Sequence, residues 1–278
     1  MSENKHGRWP GGAKCIVAIT IDFDGPSWET GRKILMVGRN SHGRYSAKRG
    51  IPRYLDILKR QAIPATFFVS GYDAEVHPDT VTAIARGGHE VGAHGYLHEG
   101  WDLGDEEPFY LRKTHDILTD ILGAPPTGWR SPSGGKSSLT MRTLLELGYV
   151  YDSSDKDHDL PYLPWLDGRE LRNYLAIPNN TSSLDDFPFY RVSYTPASEV
   201  LQHWKEEFAA IYQEGGFYNL TFHPRNGYGS GSPARAQMIE QLIIHIKQHE
   251  NVRFVTLGEL ARWCLSDPAA WQLRAKAA

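Results

Sequence analysis

Cysteine is scarce in this chain: Cys15 and Cys264 are the only two among 278 residues, and they lie far apart. One such pair cannot make the disulfide framework of a small secreted module, so the sequence fits a reducing compartment. Long apolar runs are missing as well. No stretch approaches the roughly 20 apolar residues of a membrane span, and the opening Met-Ser-Glu-Asn-Lys-His-Gly-Arg is polar with no apolar segment behind it. The expectation is a cytoplasmic protein with no membrane partner. Nor is charge of one sign in excess. The 30 basic and 33 acidic residues leave a formal net charge of −3, which argues against a nucleic-acid partner and for a small or neutral substrate.

What is present is enough apolar material, 40% of the chain, to bury a full core. The reading is one catalytic domain over residues 1–278. Cys15-Ile-Val-Ala-Ile-Thr-Ile21 is a β-branched apolar run that reads as a strand buried on both faces. Shorter candidates follow at 65–69, 89–93, 149–151, 174–177, 217–222 and 253–256. Between several of them lie amphipathic segments of helical length, at 51–62, 78–86, 105–122, 138–147, 197–214 and 233–249, with Asp105 and Ser138 near plausible N-termini and Gly123 and Gly148 near plausible C-termini. Strands alternating with helices imply βαβ units, and about seven units imply a distorted (β/α) barrel, with an open doubly wound sheet as the alternative. Residues 155–190 break the pattern with Pro161, Pro164, Pro178 and Pro188. They read as a long irregular insertion and a candidate substrate wall. The Gly/Ser-rich stretch 226–232 reads as a further loop.

The first strand ends Ile21-Asp22-Phe23-Asp24-Gly25. Residues two apart on a strand share a face, so both carboxylates can look into one cavity, where a cation or a partner base would offset the cost of burying them. His94 and His98 stand four apart just past another strand, and one helical turn would put both imidazoles on one side. Imidazole plus carboxylate is a common ligand set for catalytic zinc. His223 closes the run 217–223, and Arg130 follows Gly128-Trp129; in an α/β barrel, groups at the C-terminal ends of different strands meet at one mouth. There a guanidinium could pair with a carboxylate and fix its orientation. Taken singly, each has a plainer explanation: an Asp-Gly turn, surface histidines, a loop arginine. Only the shared position after strands sets them apart.

In this order the residues resemble the polysaccharide deacetylase superfamily, carbohydrate esterase family 4, over about 15–260. Ile21-Asp22-Phe23-Asp24 is similar to its aspartate motif, His94-Gly-Tyr-Leu-His98 to its paired-histidine motif, Trp129-Arg130-Ser131-Pro132 to its Arg-x-Pro motif, and Leu220-Thr221-Phe222-His223 to its last motif. The resemblance implies a distorted (β/α) barrel, commonly seven-stranded, with one divalent cation, zinc or a similar ion, held by Asp24, His94 and His98. It further implies Asp22 as base, His223 as general acid and Arg130 as the partner that orients the base. The family has adjacent aspartates where Phe23 here separates the two. An acid that tunes His223 could come from Asp152, Asp159 or Asp186. Arg8-Trp9-Pro10-Gly11-Gly12-Ala13, Gly92-Ala93-His94-Gly95-Tyr96 and Asp159-Leu160-Pro161-Tyr162 look like the branch of allantoinase-like enzymes, cyclic imidases and cytoplasmic peptidoglycan-deacetylase-like proteins. That branch implies a homo-oligomer, commonly a tetramer.

The expected activity is metal-dependent hydrolysis of a non-peptide C–N bond. The absent export signal favours a small N-acyl or cyclic amide over an N-acetylated amino sugar or polysaccharide, with Trp28, Trp129, Tyr162, Trp165, Phe187, Tyr190 and Tyr228 as candidate pocket walls. A barrel that binds a metal without turnover is the alternative from another class, and the presence of every acid–base position speaks against it. A sugar-phosphate barrel would need a lysine in the glycine-rich loop 226–232, which has none.

Overall fold

The apolar run that opens the chain becomes the middle of the sheet. A computed structural model describes residues 9–276; residues 1–8, with the polar opening and Arg8, lie outside them. Strand β1 (Cys15–Phe23) is buried along its whole length and is flanked on both sides by parallel neighbours. From one side the sheet runs through β2 (Thr66–Val69), β3 (Glu90–Ala93), β4 (Gly128–Trp129), β5 (Tyr151–Asp152) and β6 (Leu175–Ala176). On the other side β7 (Phe217–Phe222) pairs in parallel, Ile16 opposite Phe217 through to Ile21 opposite Phe222. These seven strands curl into a half-barrel. An eighth, β8 (Val252–Phe254), pairs only with Cys15–Val17, continuing the edge of β1 below the point where β2 begins at Thr20. The expected seven-stranded barrel is thus the observed one, with a short extra strand at its foot.

The wall does not close by strand pairing between β6 and β7. There the backbone N–H of Thr221 donates to the Leu184 carbonyl at 2.9 Å, and Asn219 Nδ2 donates to the Pro178 carbonyl at 2.8 Å. The irregular segment 155–190 forms this seam, carrying β6 and a small antiparallel hairpin, Trp165–Leu166 with Arg169–Glu170.

Strand parity decides what each side chain meets. In β1 the odd residues Val17, Ile19, Ile21 and Phe23 pack outward with the helices, in one core that includes Tyr54, Ile57 and Leu58 of helix Ile51–Gln61 and Val200, Trp204 and Phe208 of helix Ala197–Glu214. The even residues Ile16 and Ala18 join a second core inside the barrel with Phe68, Tyr151, Leu175, Ile177 and Phe217, closed at the foot by Trp9, Leu260 and Trp271. Inward glycines make room for the rings: a Cβ on Gly92 would stand 2.9 Å from the Phe68 ring, and one on Gly128 would run into Tyr151. Above this apolar layer, the inward residues of β1 and β7 are Thr20 and Thr221, whose hydroxyls are 3.1 Å apart. One step further up come Asp22 and His223. The barrel is therefore layered, apolar below and ionisable at the C-terminal mouth.

Candidate active site

Arg130, 1% exposed, sits in the centre of the mouth. Its guanidinium lies over the Phe68 ring at 4.3 Å and spreads its donors over the ends of β1, β5 and β7, the last through Thr221 Oγ1 at 3.3 Å from Nη1. Nη1 donates to Asp22 Oδ1 at 2.8 Å and to Thr20 Oγ1 at 3.0 Å, while Nε and Nη2 reach the Ser153 carbonyl and hydroxyl at 3.1 and 3.0 Å. A planar fork suits this better than an ammonium would. Burial raises the cost of ionising Asp22, but the positive charges of Arg130 and His223 outweigh it and hold the carboxyl below its ordinary range. Oδ1 is occupied by Arg130, and Oδ2 lies 4.0 Å from His94 Nε2.

Asp24, one step past the strand, shares the inward parity of Asp22, and both line the same cavity. Phe23 between them packs outward in the core, so the separated spacing brings both acids to the mouth. The paired histidines arrive differently from the expected helical turn. Residues 94–98 are a loop in which Gly95 and His98 both take left-handed φ, 63° and 52°. Glu99 holds it by accepting from the backbone N–H groups of Tyr96 and Leu97 at 3.0 and 2.7 Å. The imidazoles of His94 and His98 meet edge to face, centroids 5.3 Å apart. His94 Nδ1 donates to the Arg130 carbonyl at 2.9 Å, which fixes the tautomer and leaves Nε2 as an acceptor. His98 Nε2 is 3.7 Å from Asp24 Oδ2, and its buried Nδ1 has no hydrogen-bond partner among the described residues. Burial keeps both imidazoles neutral, moving His94 down and His98 down to about 3. Two neutral imidazoles and one carboxylate oxygen, at separations too long for hydrogen bonds, are a donor set that could hold a divalent cation.

On the opposite wall His223, at the end of β7, donates Nδ1 to Asp186 Oδ1 at 2.7 Å, with Asp185 3.7 Å away. Burial opposes a charged ring here, but Asp186 and Asp185 prevail and raise His223 to about 10. Of the three acids considered for this task, Asp186 is the one in place. Asp152 instead pairs with Lys136 at 3.0 Å, and Asp159 is exposed. Asp185, Asp186 and His223 also form a group whose ligand atoms lie within 4.8 Å of one another, tighter than the Asp24 set. Its donor atoms are already used, however: Asp186 accepts from the His223 backbone N–H at 3.0 Å and from Ser230 Oγ at 2.6 Å, and Asp185 from the Phe187 N–H at 2.8 Å. The cluster reads as support for a protonated imidazole.

These groups surround a cavity of about 300 Å³ whose apolar walls include Trp28, Phe187 and Tyr228. The other aromatics expected there lie elsewhere. Trp129 packs outward against Trp101 at 5.1 Å, Tyr190 is buried in the core, Trp165 is 67% exposed on the hairpin, and Tyr162 donates to Asp155 at 2.8 Å. The insertion does supply a wall, through Asn179, Thr181, Phe187 and Pro188. Sequence reasoning missed Arg225 and Glu29, both fully buried behind Asp24. The available signal was an arginine two residues past His223.

Comparison with known proteins identifies a hydrolase acting on C–N bonds other than peptide bonds. The family model for polysaccharide deacetylases matches residues 14–151. A peptidoglycan deacetylase of Helicobacter pylori is 32% identical over 80% of this chain and 85% of its own, and a peptidoglycan deacetylase-like protein of Gibberella zeae is 27% identical over 90% and 86%. Among solved structures, PuuE allantoinase superposes with a TM-score of 0.80 at 26% identity, covering 95% of this chain and 94% of its own. The chain belongs to the polysaccharide deacetylase family.

Proposed function

We propose that this chain is a single-domain, cation-dependent N-deacetylase of N-acetylated amino sugars of the peptidoglycan type. The observation that carries the reading is the convergence of two opposed groups on one cavity: Asp22, kept ionised by Arg130, and His223, kept protonated by Asp186. In this reading Asp22 takes a proton from the attacking water as the C–O bond forms by addition to the carbonyl, and His223 then delivers a proton to nitrogen as the C–N bond breaks, so that acetate and amine leave. Amine leaving groups require that proton. Asp24, His94 and His98 would hold the cation, zinc by the chemistry of the donor set; when bound, it supplies Lewis acidity toward the amide oxygen and makes water easier to deprotonate. Arg130 fixes the base, and Trp28, Phe187 and Tyr228 offer apolar surface to a sugar ring.

The sequence alone favoured a small N-acyl or cyclic amide or imide. The relatives reverse that order, since a curated protein 32% identical over most of both chains is a peptidoglycan deacetylase. The likeness to an allantoinase, and a cavity sized for one small molecule or one sugar unit, keep a small ureide or imide as the second reading. The deciding experiment is turnover of N-acetylglucosamine oligomers, peptidoglycan fragments, allantoin, hydantoins and cyclic imides, each with and without chelator. Chelator-sensitive release of acetate from the sugars is expected. Turnover confined to ureides or imides would replace the first reading with the second.

A further inference from the structure

Behind Asp24 lies a buried charge network that the acid–base reading does not use. Arg225 and Glu29 are both fully buried. Arg225 Nε donates to Asp24 Oδ1 at 2.9 Å, Nη2 donates to the Asp24 backbone carbonyl, and Nη1 and Nη2 grip both oxygens of Glu29 at 2.6 and 3.2 Å. The guanidinium stacks on Tyr228, 4.8 Å from the ring centroid, and Tyr228 itself lines the cavity. Two glycines leave the space. A Cβ on Gly25 would stand 2.9 Å from the guanidinium carbon, and one on Gly43 would run into the Glu29 carboxylate.

We infer that Arg225 is a positioning residue that clamps Asp24 by Oδ1 and by its main chain, so that Oδ2 is presented toward His98 as a cation ligand. Glu29 is the necessary third member. An arginine paired with Asp24 alone would cancel the charge of the carboxylate that must bind the cation; Glu29 neutralises that arginine, and the three residues keep one net negative charge at Asp24. This inference rests on the reading of Asp24 as a ligand. Partners of this kind set ligand geometry in metal sites, and their loss typically costs 10–100-fold in affinity.

The test is Zn2+ affinity by competition with a chelating dye, together with the visible absorption of bound Co2+, in the parent, Arg225→Lys, the double variant Arg225→Met/Glu29→Gln, and Asp24→Asn. Arg225→Lys keeps the buried positive charge but cannot make the three-way fork; the double variant removes both buried charges, so neither is left unpaired. Loss of about tenfold or more in Zn2+ affinity with a changed Co2+ spectrum is expected for both, in protein whose circular dichroism matches the parent. A role limited to stability would leave the Co2+ spectrum untouched. Affinity within twofold of the parent and an unchanged spectrum in either folded variant would overturn the clamp. If Asp24→Asn also leaves affinity unchanged, it is the ligand assignment that fails.

Discussion

His223 Nδ1 and Asp186 Oδ1 stand 2.7 Å apart, and this pair sets how the site should respond to pH. A histidine raised to about 10 stays protonated across neutral pH and loses its proton as pH climbs through that value. The alkaline limb of kcat/KM is therefore expected well above the ordinary histidine range. In Asp186→Asn the larger of the two charges that raise the ring is gone and only Asp185 remains, so the limb should move to lower pH and kcat should fall by about 10²–10⁴. The same sign holds for stability: the pair's contribution is full below the unfolded histidine value of about 6.5 and fades as pH rises toward 10. A pH–rate profile unmoved by the substitution would remove Asp186 from this role.

Asp22→Asn separates the base from the cation site. Bound metal, measured by elemental analysis, should stay near one per chain, while turnover drops by about 10²–10⁴. Arg130→Met should do more harm, because it leaves the Asp22 carboxylate buried and unpaired; a loss of about 3–5 kcal/mol in chemical denaturation is expected. A variant at Asp22 that turned over normally would show that another group takes the water proton.

Dialysis against a strong chelator should abolish activity, and added Zn2+ should restore it. His94→Ala and His98→Ala should emerge from purification with little metal and resist that rescue. Full activity in demonstrably metal-free parent protein would end the proposal that these residues serve a cation.

Gly229 backs onto the general acid. A Cβ there would stand 2.8 Å from both the carbonyl carbon and the Cβ of His223, so Gly229→Ala must displace the end of β7. Turnover should fall by about tenfold or more, because small misplacements at a reacting centre are costly, and by more than Zn2+ affinity, which this loop reaches only through Arg225. Equal loss of both would mean that the shift spreads through the whole mouth.

The inward set was legible in the sequence because β-strand parity is short-range physics. Asp22 and Asp24 differ by two, so their common destination followed from the strand alone. His94 and His98 were paired correctly for a different reason from the one expected. The spacing suggested a helical turn, and the structure uses a loop with left-handed turns at Gly95 and His98, which the residue types did not announce. The N-terminus expected near Ser138 is that of helix Ser138–Glu146, capped by Ser137, whose Oγ accepts from the backbone N–H groups of Leu139 and Thr140. Asp186 could be named only as one of three candidates and Arg225 was missed, because both act on partners far away in sequence, and only the closing of the seam and the folding of the 223–232 loop bring them there.

That seam has a consequence for how the scaffold can diversify. Between β6 and β7 the wall is tied by links from Asn219, Thr221 and His223 to residues 178–186 rather than by a paired strand, and the connecting chain supplies Asn179, Thr181, Phe187 and Pro188 to the cavity. An irregular wall of this kind can change in length without shifting the register of a neighbouring strand. Selection could then remodel what the mouth admits, provided that Asp186, which the same segment supplies to His223, keeps its place.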